Sequence, residues 1–166
     1  MVFGLFPTIE RMSCSPNGQK LYKTLKFLDN YPYFTKCLTI WFDIMPIFIK
    51  KFLINCYFGF NNMIPLCIIE STTELFNTTV IRNIIHMSKD ELDNVYEYDF
   101  DLNKYANNIY LYYGLKDGWV PIKYGNDMMN RKELNDGHII FDTTNSEHAF
   151  VIKESKVIAD ELIKFL

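Results

Sequence analysis

Apolar positions near the end of the chain form two short continuous runs, at residues 109–113 and 138–141. Continuous runs of this length are typical of strands covered on both faces of a parallel sheet. A helical pattern follows the first run, from Pro121 to about Leu134. A final helix, for which Ser155 is the expected cap, follows the second. The alternation of strand and helix predicts an α/β fold with a parallel sheet.

The amino-terminal third predicts a further strand and helix. Residues 2–6 are apolar and are followed by Pro7, which is typical of a short buried strand. Residues 15–18 (SPNG) are a strong turn signal, and residues 19–29 fit a short amphipathic helix. The final helix should present an apolar stripe to the core, formed by Ile158, Ala159, Leu162, Phe165 and Leu166.

Residues 31–60 are unusually rich in aromatic side chains and carry few charges. A membrane span would need roughly 20 consecutive apolar residues, but Pro46, Lys50 and Lys51 interrupt the stretch. Two interpretations remain from composition. The segment is either a buried helical hairpin or a flap that dips into a lipid surface, with aromatic rings in the acyl boundary and lysines at the headgroups.

The middle of the chain predicts a helix over residues 72–87 and an acidic, solvated helix or loop over residues 88–101. With 166 residues, of which 49% are apolar and 16% aromatic, the chain is long enough for one folded domain. A net charge of −3 gives no electrostatic footprint for a nucleic-acid partner. The four cysteines are widely spaced, which predicts reduced, buried thiols rather than a zinc site or disulfides.

Asp117 and His148 are the candidate catalytic residues, because each lies just past one of the two carboxyl-terminal strands. In parallel sheets, functional side chains gather at the carboxyl ends of strands. α/β-Hydrolases place the acid and the histidine of their triad there, in the chain order Ser…Asp…His. The plainer interpretations are an Asp-Gly turn residue and a surface histidine. Of the other two histidines, His86 is predicted to be structural. His138 is predicted to lack a partner.

The nucleophile of such a triad has no candidate in this sequence. The strained elbow that exposes it requires G-x-S-x-G, and no such run occurs among the 166 residues. Gly114 and Gly118 have the required spacing but enclose Lys116. Ser13, Cys14 and Ser15 lie in a polar turn region without that geometry.

Three blocks of sequence together resemble the lipid droplet-associated hydrolase family, which belongs to the α/β-hydrolase superfamily. Residues 5–12 (LFPTIERM) with the SPNG turn are similar to the segment after the family's nucleophile helix. Residues 112–121 (YYGLKDGWVP) are similar to its acid-bearing strand end, and residues 147–150 (EHAF) to its histidine motif. The resemblance covers nearly all of this chain but only about the carboxyl-terminal half of the family's domain.

The resemblance implies the carboxyl-terminal part of an α/β-hydrolase fold, with about three parallel strands, flanking helices and a hydrophobic helical lid insertion. Residues 1–30 would hold the strand, turn and first helix, residues 31–87 the lid, residues 88–108 an acidic connector, and residues 109–166 the acid and histidine strands. Asp117 would be the charge-relay acid and His148 the general base. No cofactor or metal is implied.

The resemblance further implies a lipid ester substrate and a location on the cytosolic side of lipid droplets and the endoplasmic reticulum. It favours the flap interpretation of residues 31–60, since an interfacial enzyme needs an exposed apolar patch. The expected lipid-contacting side chains are Trp41, Phe42, Ile47, Phe48 and Phe52.

Without a nucleophile, the chain alone is expected to be inactive and to leave one sheet edge open. The leading interpretation is a fragment of a lipid ester hydrolase whose amino-terminal half belongs to the full-length protein. The alternatives are a non-catalytic lipid-surface binding module and a split enzyme completed by a second chain. The sequence does not distinguish triacylglycerol, sterol ester and small acyl substrates.

Overall fold

The computed structural model describes residues 1–59, 64–98, 101–134 and 137–165. Over these residues the chain forms three strands and seven α-helices. In chain order they are β1 (Val2–Leu5), α1 (Pro16–Asn30), α2 (Pro32–Ile44), α3 (Ile47–Tyr57), α4 (Leu66–Leu75), α5 (Thr78–Asn94), β2 (Ile109–Tyr113), α6 (Ile122–Arg131), β3 (Ile139–Phe141) and α7 (Ser155–Leu162).

The three strands form one parallel sheet in the order β1-β2-β3. Val2 pairs with Ile109 at the start of the first ladder, and Tyr113 pairs with Phe141 at the end of the second. The prediction of about three parallel strands is confirmed. Within the described part of the chain, β1 has a partner strand on one side only.

The central strand is covered on both faces, as its continuous apolar run predicts. Leu111 and Tyr113 pack on one face with Val120 and residues of α6. Tyr112 points the other way and packs with Phe6 and Ile158 of α7, because successive side chains of a strand alternate between the two faces. Side chains on both faces of the sheet therefore form the core of this region.

The chain divides into two compact units. The first unit comprises residues 1–21 and 91–166 and contains the sheet, α6 and α7. The second comprises residues 22–90 and is helical. It contains all of α2, α3 and α4, together with the larger parts of α1 and α5. Among the described residues, no helix combines the length and apolar content needed to cross a membrane.

A buried carboxylate fixes the segment that follows β1. Glu10 is 4% exposed and accepts hydrogen bonds from the guanidinium groups of Arg11 and Arg131. Arg11 also pairs with Asp127 of α6 at 2.8 Å and lies over the ring of Tyr124. These contacts attach the segment after β1 to α6, on one face of the sheet.

The prediction of one helix over residues 72–87 was wrong. α4 ends at Leu75, and α5 begins at Thr78. The side-chain oxygen of Asn77 accepts hydrogen bonds from the backbone N–H groups of Thr79 at 2.9 Å and Val80 at 3.2 Å. A side-chain acceptor in this position starts a new helix, which is why the apolar periodicity runs across two helices.

The predicted cap of the last helix was also wrong. Ser155 is the first residue of α7, and Glu154 occupies the cap position without a side-chain cap hydrogen bond. In the predicted apolar stripe, Ile158 is buried and Leu162 half-buried, whereas Ala159 and Phe165 are exposed. Leu166 lies outside the described residues, as do Phe60 at the end of the aromatic stretch and Asp99 in the acidic one.

The cysteines contradict the expectation of buried thiols, since all four are free and exposed. Cys37, Cys56 and Cys67 lie on helices of the second unit, where many large apolar side chains are exposed as well. A buried position is usual for a free cysteine. Cys37, Cys56 and Cys67 depart from this rule together with the exposed apolar side chains of the same helices, and Cys14 departs from it in the first unit.

Candidate active site

The ends of β2 and β3 bring Asp117 and His148 into contact. The carboxyl ends of neighbouring parallel strands lie at the same edge of a sheet, and one of these residues follows each strand. His148 Nδ1 lies 2.7 Å from Asp117 Oδ2. The two residues are 31 positions apart in sequence, so this contact depends on the pairing of the strands.

The carboxylate of Asp117 is fixed by the backbone that follows it. Its Oδ1 accepts hydrogen bonds from the N–H groups of Trp119 at 2.7 Å and Val120 at 3.1 Å, and its side chain is fully buried. Because Oδ1 is already occupied, Oδ2 is directed to His148. A carboxylate so placed accepts the Nδ1 proton and leaves Nε2 of the imidazole as the basic nitrogen.

The SPNG segment forms a helix start rather than the predicted turn before a helix at residue 19, because α1 begins at Pro16. Ser15 Oγ accepts a hydrogen bond from the N–H of Gly18 at 3.0 Å and donates one to the Met12 carbonyl at 2.7 Å. This is the bonding pattern of a helix cap. Ser15 is fully buried, and its hydroxyl is used within the fold.

Asn17, in the first turn of α1, contacts the loop of the candidate acid. Its backbone N–H donates to the carbonyl of Gly118 at 2.9 Å. A Cβ atom on Gly118 would lie 2.6–2.8 Å from the side-chain atoms of Asn17, so glycine at this position lets that side chain keep its place. Sequence reasoning did not assign Asn17 to the site, although the SPNG signal marked its position.

A cavity of about 320 Å³ opens beside His148. The side chain of His148 is 36% exposed, whereas that of Asp117 is 0% exposed. The histidine is thus accessible to a reactant, and its acid partner is shielded from water. The lining residues are Asn17, Lys116, Gly118, Trp119, Glu147, His148 and Ala149.

Asp142 was not singled out from the sequence, yet it is the buried carboxylate of the loop that carries His148. It is 1% exposed and accepts hydrogen bonds from Tyr112, Thr144 and Ser146. Burial by itself raises the pKa of Asp142, but the hydrogen bonds outweigh it and hold the pKa below its ordinary value. The group is therefore a carboxylate at neutral pH.

The other two histidines have contacts of their own. His138 was expected to lack a partner, but its ring stacks on Tyr110 at 4.0 Å, and its Nδ1 lies 2.9 Å from the Ile109 carbonyl oxygen. His86 is exposed and lies 3.0 Å from Asp29. This second pair borders a cavity of about 440 Å³ within the helical unit. It differs from the Asp117–His148 pair in burial, since neither His86 nor Asp29 has a fully buried side chain.

The predicted lipid-contacting residues lie on α2 and α3. Trp41, Ile47, Phe48 and Phe52 are exposed. Phe42 is half-buried, because its ring stacks on Trp41 at 4.2 Å and packs edge-on against Phe76 at 5.0 Å. Four of these five side chains are therefore exposed in this chain, and their contact with lipid stays a prediction.

Comparison with known proteins gives one consistent family. Residues 1–151 match the sequence model of the family described as lipid-droplet associated hydrolase. A mouse protein named lipid droplet-associated hydrolase is 32% identical over 167 residues, which cover 95% of this chain and 46% of the mouse protein. A Drosophila melanogaster protein of the same name is 31% identical over 162 residues, 93% of this chain and 49% of the fly protein.

The human protein of that name is 30% identical over 163 residues, covering 95% of this chain and 47% of the human protein. The chain therefore spans about half the length of the curated relatives it matches. No solved structure matches this chain. The family model covers most of the sequence, including the SPNG segment and both candidate catalytic residues, and on this evidence the chain belongs to the lipid-droplet associated hydrolase family.

Proposed function

We propose that this chain supplies the acid and the general base of a serine hydrolase that cleaves lipid esters. The observation that carries the proposal is the Asp117–His148 pair, with one carboxylate oxygen held by two backbone N–H groups and the other 2.7 Å from the imidazole. An ion pair on a solvated surface does not require a carboxylate oxygen held by two backbone N–H groups. The shielded acid and the accessible histidine match the roles of a catalytic triad.

In the proposed reaction, a serine hydroxyl attacks the carbonyl carbon of the ester, and its proton passes to Nε2 of His148. The alkoxide leaving group takes that proton when the acyl-oxygen bond breaks. Water then hydrolyses the acyl-enzyme by the same route, releasing the fatty acid and restoring the serine. Asp117 stabilises the imidazolium in both halves of the reaction.

The serine of this reaction would come from residues other than these 166, because the sequence contains no G-x-S-x-G. We propose that the full-length protein supplies it from an amino-terminal half, as the relatives are about twice as long as this chain. The chain alone would then be hydrolytically inactive. The corresponding strand would pair with β1, whose outer side has no partner strand within the described residues.

The proposed place of action is a lipid surface, namely that of droplets and the endoplasmic reticulum on its cytosolic side. The names of the relatives state droplet association. α2 and α3 expose many large apolar side chains, of which the following are here called the flap surface: Tyr33, Phe34, Leu38, Trp41, Ile44, Ile47, Phe48 and Phe52. An exposed apolar patch of this kind is typical of interfacial helices.

The test of catalysis compares the 166-residue chain with a longer chain translated from the same gene upstream of Met1. We expect the short chain to hydrolyse a nitrophenyl ester no faster than its His148→Ala variant. A longer chain that includes an in-frame G-x-S-x-G should be active and should lose that activity with His148→Ala. Activity of the short chain that depends on His148 would contradict the proposed origin of the nucleophile.

The flap surface has a matched control in the first unit, because Ile47 and Ile163 are equally exposed, at 63%. We expect the double variant Ile47→Ser, Phe48→Ser to bind lipid droplets at least tenfold more weakly in a flotation assay. Burial of one such side chain is worth about 1.5–3 kcal/mol, and 1.4 kcal/mol is about a factor of ten. Ile163→Ser should bind as the unchanged chain does. Equal losses in the two variants would contradict the flap proposal.

A non-catalytic lipid-surface module is the second candidate, favoured by the flap surface together with the missing elbow. It predicts droplet binding without hydrolysis in every natural form of the protein. A stop codon directly upstream of Met1 would support it. An active longer chain would rule it out.

A further inference from the structure

Asp142 begins the loop that delivers His148. It directly follows β3, and His148 lies six positions further along. The side chains of Asp142 and Asp117 have similar surroundings, since both are buried and both accept backbone hydrogen bonds. Their hydrogen-bond partners differ. Asp117 contacts the imidazole of His148, whereas Asp142 accepts from backbone N–H groups of the residues that precede His148.

The two carboxylate oxygens of Asp142 are divided between two parts of the loop. Oδ1 accepts from the N–H of Thr144 at 2.8 Å and from its hydroxyl at 2.6 Å. Oδ2 accepts from the N–H of Ser146 at 2.6 Å. Since the Thr144 proton is given to Asp142, the Ser146 hydroxyl must donate in the 2.6 Å contact between the two hydroxyls.

The sheet supplies the remaining bond. The hydroxyl of Tyr112 in β2 donates to Oδ1 of Asp142 at 2.8 Å. This bond joins the carboxylate to the strand that precedes Asp117, and it involves no residue of the loop beyond Asp142 itself. The loop bonds and the sheet bond of Asp142 can therefore be removed separately.

The loop also packs closely against the end of β2. Ser146 is 1% exposed, and a Cβ atom on Gly114 would lie 3.2 Å from its carbonyl oxygen. Asn145 adopts a left-handed conformation with φ of 59°. Asparagine tolerates this region better than most residues. The residues just before His148 are thus held by Asp142 on one side and by the strand end on the other.

We propose that Asp142 is a positioning residue for His148 and that it needs both carboxylate oxygens for this role. Only an ionised carboxylate can accept from Thr144 and Ser146 at once, because an amide places an NH₂ donor against one of these N–H groups. A catalytic consequence of Asp142 rests on the proposed function. The position of the imidazole does not, so it can be measured without activity.

The experiment uses the 166-residue chain in a mild detergent, labelled with ¹⁵N-histidine. The chain has three histidines, so His86→Gln and His138→Gln assign the spectrum. The unchanged chain should show His148 as the Nδ1–H tautomer with a downfield proton. In Asp142→Asn we expect that signal to be lost or exchange-broadened, well below the melting temperature.

Tyr112→Phe is the matched control, because it removes one bond to Asp142 and leaves the loop bonds intact. It should lower thermal stability while the His148 signal persists. Thr144→Val, which removes the hydroxyl donor but keeps the N–H, should weaken the signal partially and provides a second test if Asp142→Asn fails to fold. A persistent signal in Asp142→Asn, or in Thr144→Val where Asp142→Asn is unfolded, would overturn the proposal. So would equal loss in Tyr112→Phe.

The catalytic consequence is measured in the proposed longer chain. There, Asp142→Asn should lower kcat by roughly a hundredfold with little change in KM, since a misplacement of about 1 Å costs that much. Loss of the His148 signal in a protein without ester hydrolysis would contradict the proposed function and leave the positioning role supported. An unchanged kcat despite a displaced imidazole would contradict the catalytic consequence.

Discussion

In the proposed complete hydrolase, replacement of Asp117 by asparagine is expected to reduce kcat/KM by about 10³–10⁴-fold while the fold is retained. Oδ1 of the new side chain can still accept from Trp119 and Val120, as Asp117 does now. Its NH₂ group would then face Nδ1 of His148. The imidazole would take the other tautomer, with the proton on Nε2, and could not accept the serine proton.

The measurement is ester hydrolysis by the proposed longer chain, together with ¹⁵N chemical shifts that report the tautomer of His148. Asp160→Asn is a suitable control, because Asp160 is an exposed aspartate on α7 that pairs with Lys156. It should leave both readouts unchanged. Retention of more than a tenth of the activity in Asp117→Asn would contradict the role proposed for the acid.

Gly18→Ala is expected to cause the largest loss of stability, about 3 kcal/mol. A Cβ atom at this position would lie 2.2 Å from the backbone oxygen of Met12 and 3.0 Å from the Cα of Ser13. Backbone atoms cannot rotate away as a side chain can. The start of α1 must therefore shift, and the bond from Asn17 to Gly118 shifts with it.

Thermal unfolding measures this effect, with an expected fall in Tm of about 6–12 °C for a domain of this size. Thr24→Ala is the matched control, since Thr24 is exposed on the same helix and alanine is the better helix former. It should leave Tm unchanged or slightly raised. A Gly18→Ala chain as stable as this control would contradict the close packing at the cap.

The hydrophobic pattern predicted the sheet and most helices, because periodicity reports which faces of a local element are covered. It failed where a single polar side chain decides at which residue a helix begins. Asn77 divides one predicted helix into two, and Ser15 starts α1 three residues before the predicted start. Both residues act through hydrogen bonds to nearby N–H groups, which apolar spacing does not register.

Two residues of the candidate site could be predicted from the order of the strands along the chain. Asp117 and His148 each follow a strand, and parallel neighbours bring their carboxyl ends together. Asn17 and Asp142 could not be found this way. Asn17 reaches the site only through the approach of α1 to Gly118, and the role of Asp142 depends on the path of a loop.

The sequence by itself determined the parallel strands, the order of acid and histidine along the chain, and the absence of a G-x-S-x-G elbow. These features follow from local patterns and from the residues present. Only the tertiary structure decided that one oxygen of Asp117 is held by backbone while the other meets His148, that Asp142 holds the histidine loop, and that the cysteines are exposed. Burial and hydrogen-bond partners depend on which distant segments pack together, and local periodicity does not encode that packing.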